Sequence, residues 1–284
     1  MSAFPAAAGR GARPTTREIL RAIRPGPVFL GLVVAAAVGG WLVATSEPGR
    51  NAQSIGGTLL FVLAGWVISL CLHEFAHAVT AFRFGDRNAE LRGYLTLNPL
   101  RYTHPGLSIG LPLLIILLGG IGFPGGAVYV DQRGFTRSQR TIVSLAGPAT
   151  NAVLGVVLLI AVQSGLSSTP GVQSTDGTIY LSPDHLNLWA ALSMLAFLQI
   201  TAAVLNILPV PGFDGYGAVE PYLSDKTRFS MQKIAPYGFL IVFALLFIPF
   251  LNRAFFDVIY WLFGLSGVPS ALATYGWNLF IFWR

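Results

Sequence analysis

Long apolar segments are the feature that most restricts how this chain can fold. A transmembrane helix needs about 20 predominantly apolar residues, and four segments approach or exceed that length: 27–45, 57–82, 141–162 and 186–208. Only 11% of the residues are charged and 54% are hydrophobic, whereas soluble domains carry about 25% charged residues. The sequence therefore predicts a polytopic α-helical membrane protein.

Shorter segments extend this architecture. Residues 236–250 and 255–263 are also apolar and raise the expected number of transmembrane helices to about six. Residues 107–123 are apolar but interrupted by glycine and proline, which favours a re-entrant segment. Alternating side chains in 91–98 and a short run at 126–131 predict strands. We therefore expect a small membrane-associated β element beside the helices.

The basic residues indicate an orientation in the membrane. They lie beside the apolar segments rather than on one polar surface, so the net charge of +6 does not point to a nucleic-acid partner. Residues 1–26 carry five arginines and a single acid. By the positive-inside rule, we expect 1–26 to be a cytosolic basic tail. We expect 27–284 to form one membrane-embedded domain of a multi-pass protein in the cell membrane.

A His-Glu-x-x-His motif lies in the later half of the second apolar segment. On a helix, His73 and His77 are one turn apart on the same face, so both can bind one metal ion. Glu74 can reach a water beside that metal without being a ligand, and such a site suits one Zn²⁺. The alternative is a helix whose histidines bond to neighbouring helices. Ionisable groups near the bilayer centre cost about 2.5–3.5 kcal/mol, which favours a functional role.

Asp214 is the candidate for the third metal ligand. Pro209 and Pro211 end the helix of the fourth apolar segment and place Asp214 on irregular backbone at the predicted cytosolic end. The second segment also ends on the cytosolic side, so Asp214 is expected near the depth of His73 and His77. The alternative is an ordinary Asp-Gly turn.

Two local patterns accompany the third apolar segment. Thr136 and Gln139 fit a capping box just before it, which predicts a helix start there. The small residues at 146–149 allow another helix to approach closely.

Two further residues lie inside apolar helices. Asn151 is a polar group in the third segment, and an interhelical hydrogen bond explains it as well as a role in a site does. Cys71 is the single cysteine, which excludes an intrachain disulfide, and we interpret it as a small buried hydrophobe.

Four motifs together resemble the site-2 protease family of intramembrane zinc metalloproteases. They are His-Glu-Phe-Ala-His at 73–77, Leu-Thr-Leu-Asn-Pro-Leu at 95–100, Ala-Gly-Pro-Ala-Thr-Asn at 146–151 and Asn-x-x-Pro-x-Pro-x-x-Asp-Gly at 206–215. The resemblance covers residues 55–220. It implies that His73, His77 and Asp214 bind zinc and that Glu74 is the catalytic base. It also implies that Asn151 and Asn206 position the substrate or stabilise the oxyanion.

The resemblance implies a class of substrate as well. Such proteases cut membrane-anchored proteins, among them anti-sigma factors and transcription factors, within or near their transmembrane segments, usually after a first cut outside. The chain departs from the minimal bacterial pattern at Tyr102 and His104, and it holds no polar stretch long enough for a PDZ or CBS domain. His104 is a spare candidate ligand. Two other functions are compatible with the same residues: a zinc-binding scaffold without catalysis, and a metal-ion transporter.

Overall fold

Helices dominate the structure, a computed structural model that describes residues 13–101, 130–168, 173–175, 178–180 and 185–282. In chain order the helices are α1 (Thr16–Ala22), α2 (Pro27–Thr45), α3 (Ala52–Arg83), α4 (Asn88–Leu91), α5 (Arg137–Ser168), α6 (Leu186–Asn206), α7 (Asp214–Val219), α8 (Asp225–Ile234), α9 (Gly238–Leu245), α10 (Pro249–Gly264) and α11 (Ser270–Phe280). The prediction of a helical membrane protein is confirmed.

Four helices are long and apolar enough to cross a membrane: α2, α3, α5 and α6. Residues Asp225–Leu245 and Pro249–Gly264 add a fifth span if this pair, bent by 93°, is one crossing. The described residues thus provide four or five spans rather than the six expected. The segment predicted to be re-entrant, 107–123, lies outside the described residues.

The strand predicted at 91–98 is wrong. Leu91 ends α4, and Tyr94–Thr96 forms a 3₁₀ turn. Gly93 and Leu97, with φ of 73° and 56°, have left-handed backbone that an extended strand does not allow. The neighbours Tyr94 and Leu95 are both buried, so the alternation seen in the sequence does not separate two faces.

The other predicted strand, 126–131, falls almost entirely outside the described residues. A short antiparallel hairpin is present elsewhere, between β1 (Gln173–Thr175) and β2 (Thr178–Tyr180), where no strand was predicted. It lies in the polar loop between α5 and α6.

The start of α5 shows why a long helix begins there. Thr136 and Gln139 form a capping box: the Thr136 amide donates to Gln139 Oε1 at 2.9 Å, and the Gln139 amide donates to Thr136 Oγ1 at 3.2 Å. Two N–H groups at the helix end are thereby satisfied. The boundary predicted by this pattern is confirmed.

The residues of the chain cluster into two compact units. The first unit gathers Met1–Leu30, Leu70–Thr150 and Asn206–Phe239, and the second gathers Gly31–Ser69, Asn151–Leu205 and Leu240–Arg284. The second unit contains a hydrophobic core built from α5, α6, α10 and α11, with Leu159, Val162, Ala196, Ile259, Phe263 and Leu272 among its buried members. The first unit contains a smaller cluster of Ala81, Phe135 and Val143.

Within the second unit, α3 and α6 run in the same direction. Gly65 lies against the Leu195 side chain, and one turn further along both helices the Gln199 amide donates to Ser69 Oγ at 2.9 Å. Contacts that advance together on both helices require parallel packing. The ends of these two segments can lie on one side of the membrane, as predicted, only if the helices share this direction.

Candidate metal centre

The metal centre begins with the last turns of α3. His73, Glu74 and His77 lie there in an otherwise apolar helix, with residue exposures of only 6%, 4% and 6%. The ring nitrogens Nε2 of His73 and His77 are 3.1 Å apart. Both imidazoles therefore present a nitrogen to the same small space, as the four-residue spacing predicted.

Asp214 joins the two histidines from α7, whose first residue it is. The loop from Asn206 contains Pro209 and Pro211, which cannot continue a helix, so the chain turns before α7 starts. Asp214 Oδ2 is 3.1 Å from His73 Nε2, and Asp214 Oδ1 is 3.4 Å from His77 Nε2. Within the described parts of the chain, no other three metal-binding side chains come together. His104 and Tyr102 lie outside those parts.

The spacing of these atoms fits a metal ion. Ligand atoms about 2.0–2.1 Å from a tetrahedral zinc lie roughly 3.3 Å from one another. The two Nε2 atoms are 3.1 Å apart, and each lies near that spacing from a different Asp214 oxygen: His73 is 3.1 Å from Oδ2 and His77 is 3.4 Å from Oδ1. One ligand atom from each of the three residues lies within 4.8 Å of the others. Three protein ligands leave one tetrahedral position open, which is the arrangement of catalytic zinc sites.

Asp214 is available as a ligand because it is ionised. Burial raises the pKa of its carboxyl, but the hydrogen-bonding imidazoles of His73 and His77 outweigh burial and hold that pKa well below its usual range. The side chain is 25% exposed. It therefore contributes a carboxylate at neutral pH.

A backbone carbonyl sets the tautomer of His77. His77 Nδ1 lies 2.6 Å from the carbonyl oxygen of Val143 in α5. A carbonyl only accepts, so Nδ1 carries the proton, and in the neutral imidazole that a metal ion would bind, Nε2 therefore has the lone pair. A histidine oriented by such an outer partner is typical of metal sites.

Gly147 lets α5 approach both histidines. A Cβ atom at Gly147 would collide with Nε2 of His77 and Nε2 of His73. These are the nitrogens that face the candidate metal, so position 147 admits no side chain. The small residues at 146–149 indicated close packing, but the sequence did not reveal that the partner is the metal centre itself.

The metal centre lies in a region of the chain that matches a known protein family. The model of peptidase family M50 matches residues 61–249 of the chain. The chain belongs to peptidase family M50. M50 is the site-2 protease family of intramembrane zinc metalloproteases, so the predictions of family, enzyme class and zinc as the cofactor are confirmed.

Individual M50 relatives agree with this membership. A protein of Mycolicibacterium smegmatis with the provisional name zinc metalloprotease Rip2 is 50% identical over 94% of this chain and 97% of its own length. A protein of the same name from Mycobacterium tuberculosis is 47% identical over 92% of this chain and 95% of its own. A protein of Bacillus subtilis with the provisional name zinc metalloprotease YwhC is 32% identical over 64% of this chain and 77% of its own. No solved structure matches significantly.

The two asparagines singled out in this M50 chain fall in different units. Asn206 is the last residue of α6, is half-buried, and belongs to the first unit with the metal centre. Asn151 belongs to the second unit, where its Nδ2 donates to Gln199 Oε1 at 2.8 Å. The interhelical hydrogen bond expected as an alternative for Asn151 is therefore present. Gln199, which is 1% exposed, was missed because one glutamine in a helix carries no pattern.

Proposed function

We propose that the chain hydrolyses peptide bonds within or beside transmembrane segments of membrane-anchored proteins, using one Zn²⁺ held by His73, His77 and Asp214. The convergence of the two buried imidazoles on the Asp214 carboxylate, with each Nε2 within 3.4 Å of a carboxylate oxygen, is the observation that carries this proposal. The resemblance to site-2 proteases supports regulatory proteins, such as anti-sigma factors, as the substrates.

Bound zinc supplies Lewis-acid activation of water and of the scissile carbonyl. Glu74 takes the proton from the attacking water and returns it to the leaving amine. It suits this role because it is on the same helical turn as both histidines and is 4% exposed. His77 stays correctly oriented through its bond to Val143, so its Nε2 remains a ligand throughout.

Asn151 and Asn206 are the proposed groups that hold substrate backbone or the oxyanion. The neighbouring hydrogen bonds show which atom of the Asn151 amide is the nitrogen and which is the oxygen. Ser69 Oγ donates to the Trp66 carbonyl at 2.7 Å, so it accepts from Gln199, whose Oε1 in turn accepts from Asn151 Nδ2. This chain of bonds identifies the Asn151 atom that faces Gln199 as the amide nitrogen. An amide N–H is the type of donor that an oxyanion requires.

A pair of variants separates the structural role of Asn151 from a catalytic one. Gln199→Leu removes the partner of Asn151, and we expect a loss of stability of about 1 kcal/mol with zinc retained. Asn151→Ala removes both roles, so we expect a similar loss of stability together with about 10²-fold lower kcat. Unfolding in detergent and turnover report the two effects. Equal turnover in both variants would contradict a catalytic role for Asn151.

We propose that the N-terminus is cytosolic and that the metal centre lies near the cytosolic side of the membrane. Among the described residues, the second unit holds only two basic side chains, Arg50 and Arg253, and all others belong to the first unit. The positive-inside rule assigns such a concentration of arginine and lysine to the cytosol. Residues 1–26 remain the proposed cytosolic tail and 27–284 the proposed membrane domain. Protease access to an N-terminal tag in inverted vesicles tests the orientation.

Cleavage in a defined membrane tests the proposed activity. The full chain is reconstituted in liposomes with a single-span substrate that carries a tag at each end. We expect fragments cut in or near the span, and a zinc chelator should abolish them because zinc supplies the activation. A transporter would instead move metal ions across the same liposomes without producing fragments. An intact substrate under conditions in which the protein holds zinc would contradict the proposal.

A further inference from the structure

We infer that residues 235–239 are a clamp that positions Asp214 in the metal centre. In the sequence, this clamp directly follows α8 and lies outside all four motifs of the resemblance. The inference rests on the proposed function, because it presupposes that Asp214 is a zinc ligand. Both the clamp and the loop that carries Asp214 belong to the first unit.

The loop before Asp214 has little support of its own. Its backbone bonds are short-range: the Val210 amide donates to the Leu208 carbonyl at 2.8 Å, and the Phe213 amide donates to the Val210 carbonyl at 3.0 Å. Pro209 and Pro211 contribute no N–H groups. These bonds shape the loop but do not fix where it lies, so its position must come from contacts with other residues.

Three consecutive loop residues contact the clamp. The Pro211 carbonyl lies so close to Gly238 that a Cβ atom there would overlap it. Gly212, at a left-handed φ of +102°, packs beside the Ala235 carbonyl and the backbone of Gly238. The ring of Phe213 stacks on that of Phe239, with centroids 6.4 Å apart and planes inclined by 24°. Pro211 and Phe213 are buried in this arrangement.

These contacts end one residue before Asp214, so they determine where its carboxylate lies. Phe213 is directly bonded to Asp214, and zinc–ligand distances tolerate only about 0.2 Å of error. A shift of the loop by the size of a methyl group exceeds that tolerance several times. Gly238 is therefore a positioning residue for the third ligand: it acts by admitting the Pro211 carbonyl and does not touch metal or substrate.

The test compares Gly238→Ala with Gly56→Ala in the purified full chain. Gly56 is a suitable control because a Cβ atom there meets nothing within 4 Å. The measurements are zinc affinity by competition with a chelator, the absorption spectrum of the Co²⁺-substituted protein, and thermal unfolding. We expect Gly238→Ala to bind zinc 10–100-fold more weakly, with a Co²⁺ spectrum approaching that of Asp214→Ala. Gly56→Ala should match wild type.

Wild-type zinc affinity and an unchanged Co²⁺ spectrum in Gly238→Ala would overturn the inference. If that variant fails to fold, Phe239→Leu replaces it, because leucine keeps the apolar volume and removes the ring stack. We expect several-fold weaker zinc binding there, and wild-type binding would overturn the inference equally. Asp214→Ala distinguishes the failures. If it binds zinc normally, the proposed ligand role fails together with the clamp. If it loses zinc while Gly238→Ala does not, only the clamp fails.

Discussion

Glu74→Gln is expected to lower peptide hydrolysis by about 10²–10⁴-fold while leaving the zinc content unchanged. Glutamine keeps the size of the side chain and still forms hydrogen bonds, but it cannot take a proton from water. Glu74 is 4% exposed inside an apolar helix, so a base from the bulk solvent cannot easily take its place. In the proposed site, His73, His77 and Asp214 supply the metal ligands, so removing this charge should leave all three in place.

Glu90→Gln is the matched control for this variant. Glu90 belongs to the same unit, but its side chain is 49% exposed and its ion pair with Arg87 is long, at 3.9 Å. We expect wild-type cleavage from it. Turnover of Glu74→Gln within tenfold of wild type would show that another group is the base. Loss of zinc from Glu74→Gln would show that Glu74 is a ligand or holds one.

Gly147→Ala is expected to remove zinc, and with it all cleavage. The added methyl group would point at Nε2 of both histidines, where the metal is expected. Neither neighbour gives way cheaply, because His77 is held by the Val143 carbonyl and both rings are buried. Alanine has a higher helix propensity than glycine, so the substitution should not weaken α5 itself. The expected result is therefore a folded chain with a disrupted metal centre.

Zinc content and thermal unfolding of Gly147→Ala are compared with those of Gly31→Ala. A Cβ atom at Gly31 meets nothing within 4 Å, so this control should keep zinc and unfold like wild type. A Gly147→Ala protein that keeps one zinc and cleaves normally would contradict the close approach of α5 to the histidines.

Local patterns predicted the parts of the fold that local chemistry determines. Apolar length located α2, α3, α5 and α6, and Thr136 with Gln139 located the start of α5. The strand at 91–98 failed because Leu97 adopts a left-handed backbone, which a non-glycine residue rarely does and which no local pattern indicates. The count of six spans failed among the described residues because α9 and α10 are short and the chain bends by 93° between them.

The metal centre was predictable for a similar reason. His73 and His77 share a helical face by spacing alone, and two prolines end the helix before Asp214. The predicted topology then put Asp214 near the depth of the histidines, so the three groups that converge could be proposed from the sequence. Gly147, Val143 and Gly238 act through contacts between residues distant in sequence. Only tertiary packing reveals such contacts, which is why the sequence marked 146–149 as small residues and gave no reason to examine 238.

Zinc per chain in the purified protein, wild type beside Asp214→Ala, tests the central claim most directly. We expect about one zinc in wild type and little or none in Asp214→Ala, because two histidines alone do not complete a three-ligand site. A wild-type protein without zinc would contradict the metal centre itself. Full retention of zinc by Asp214→Ala would contradict Asp214 as the third ligand.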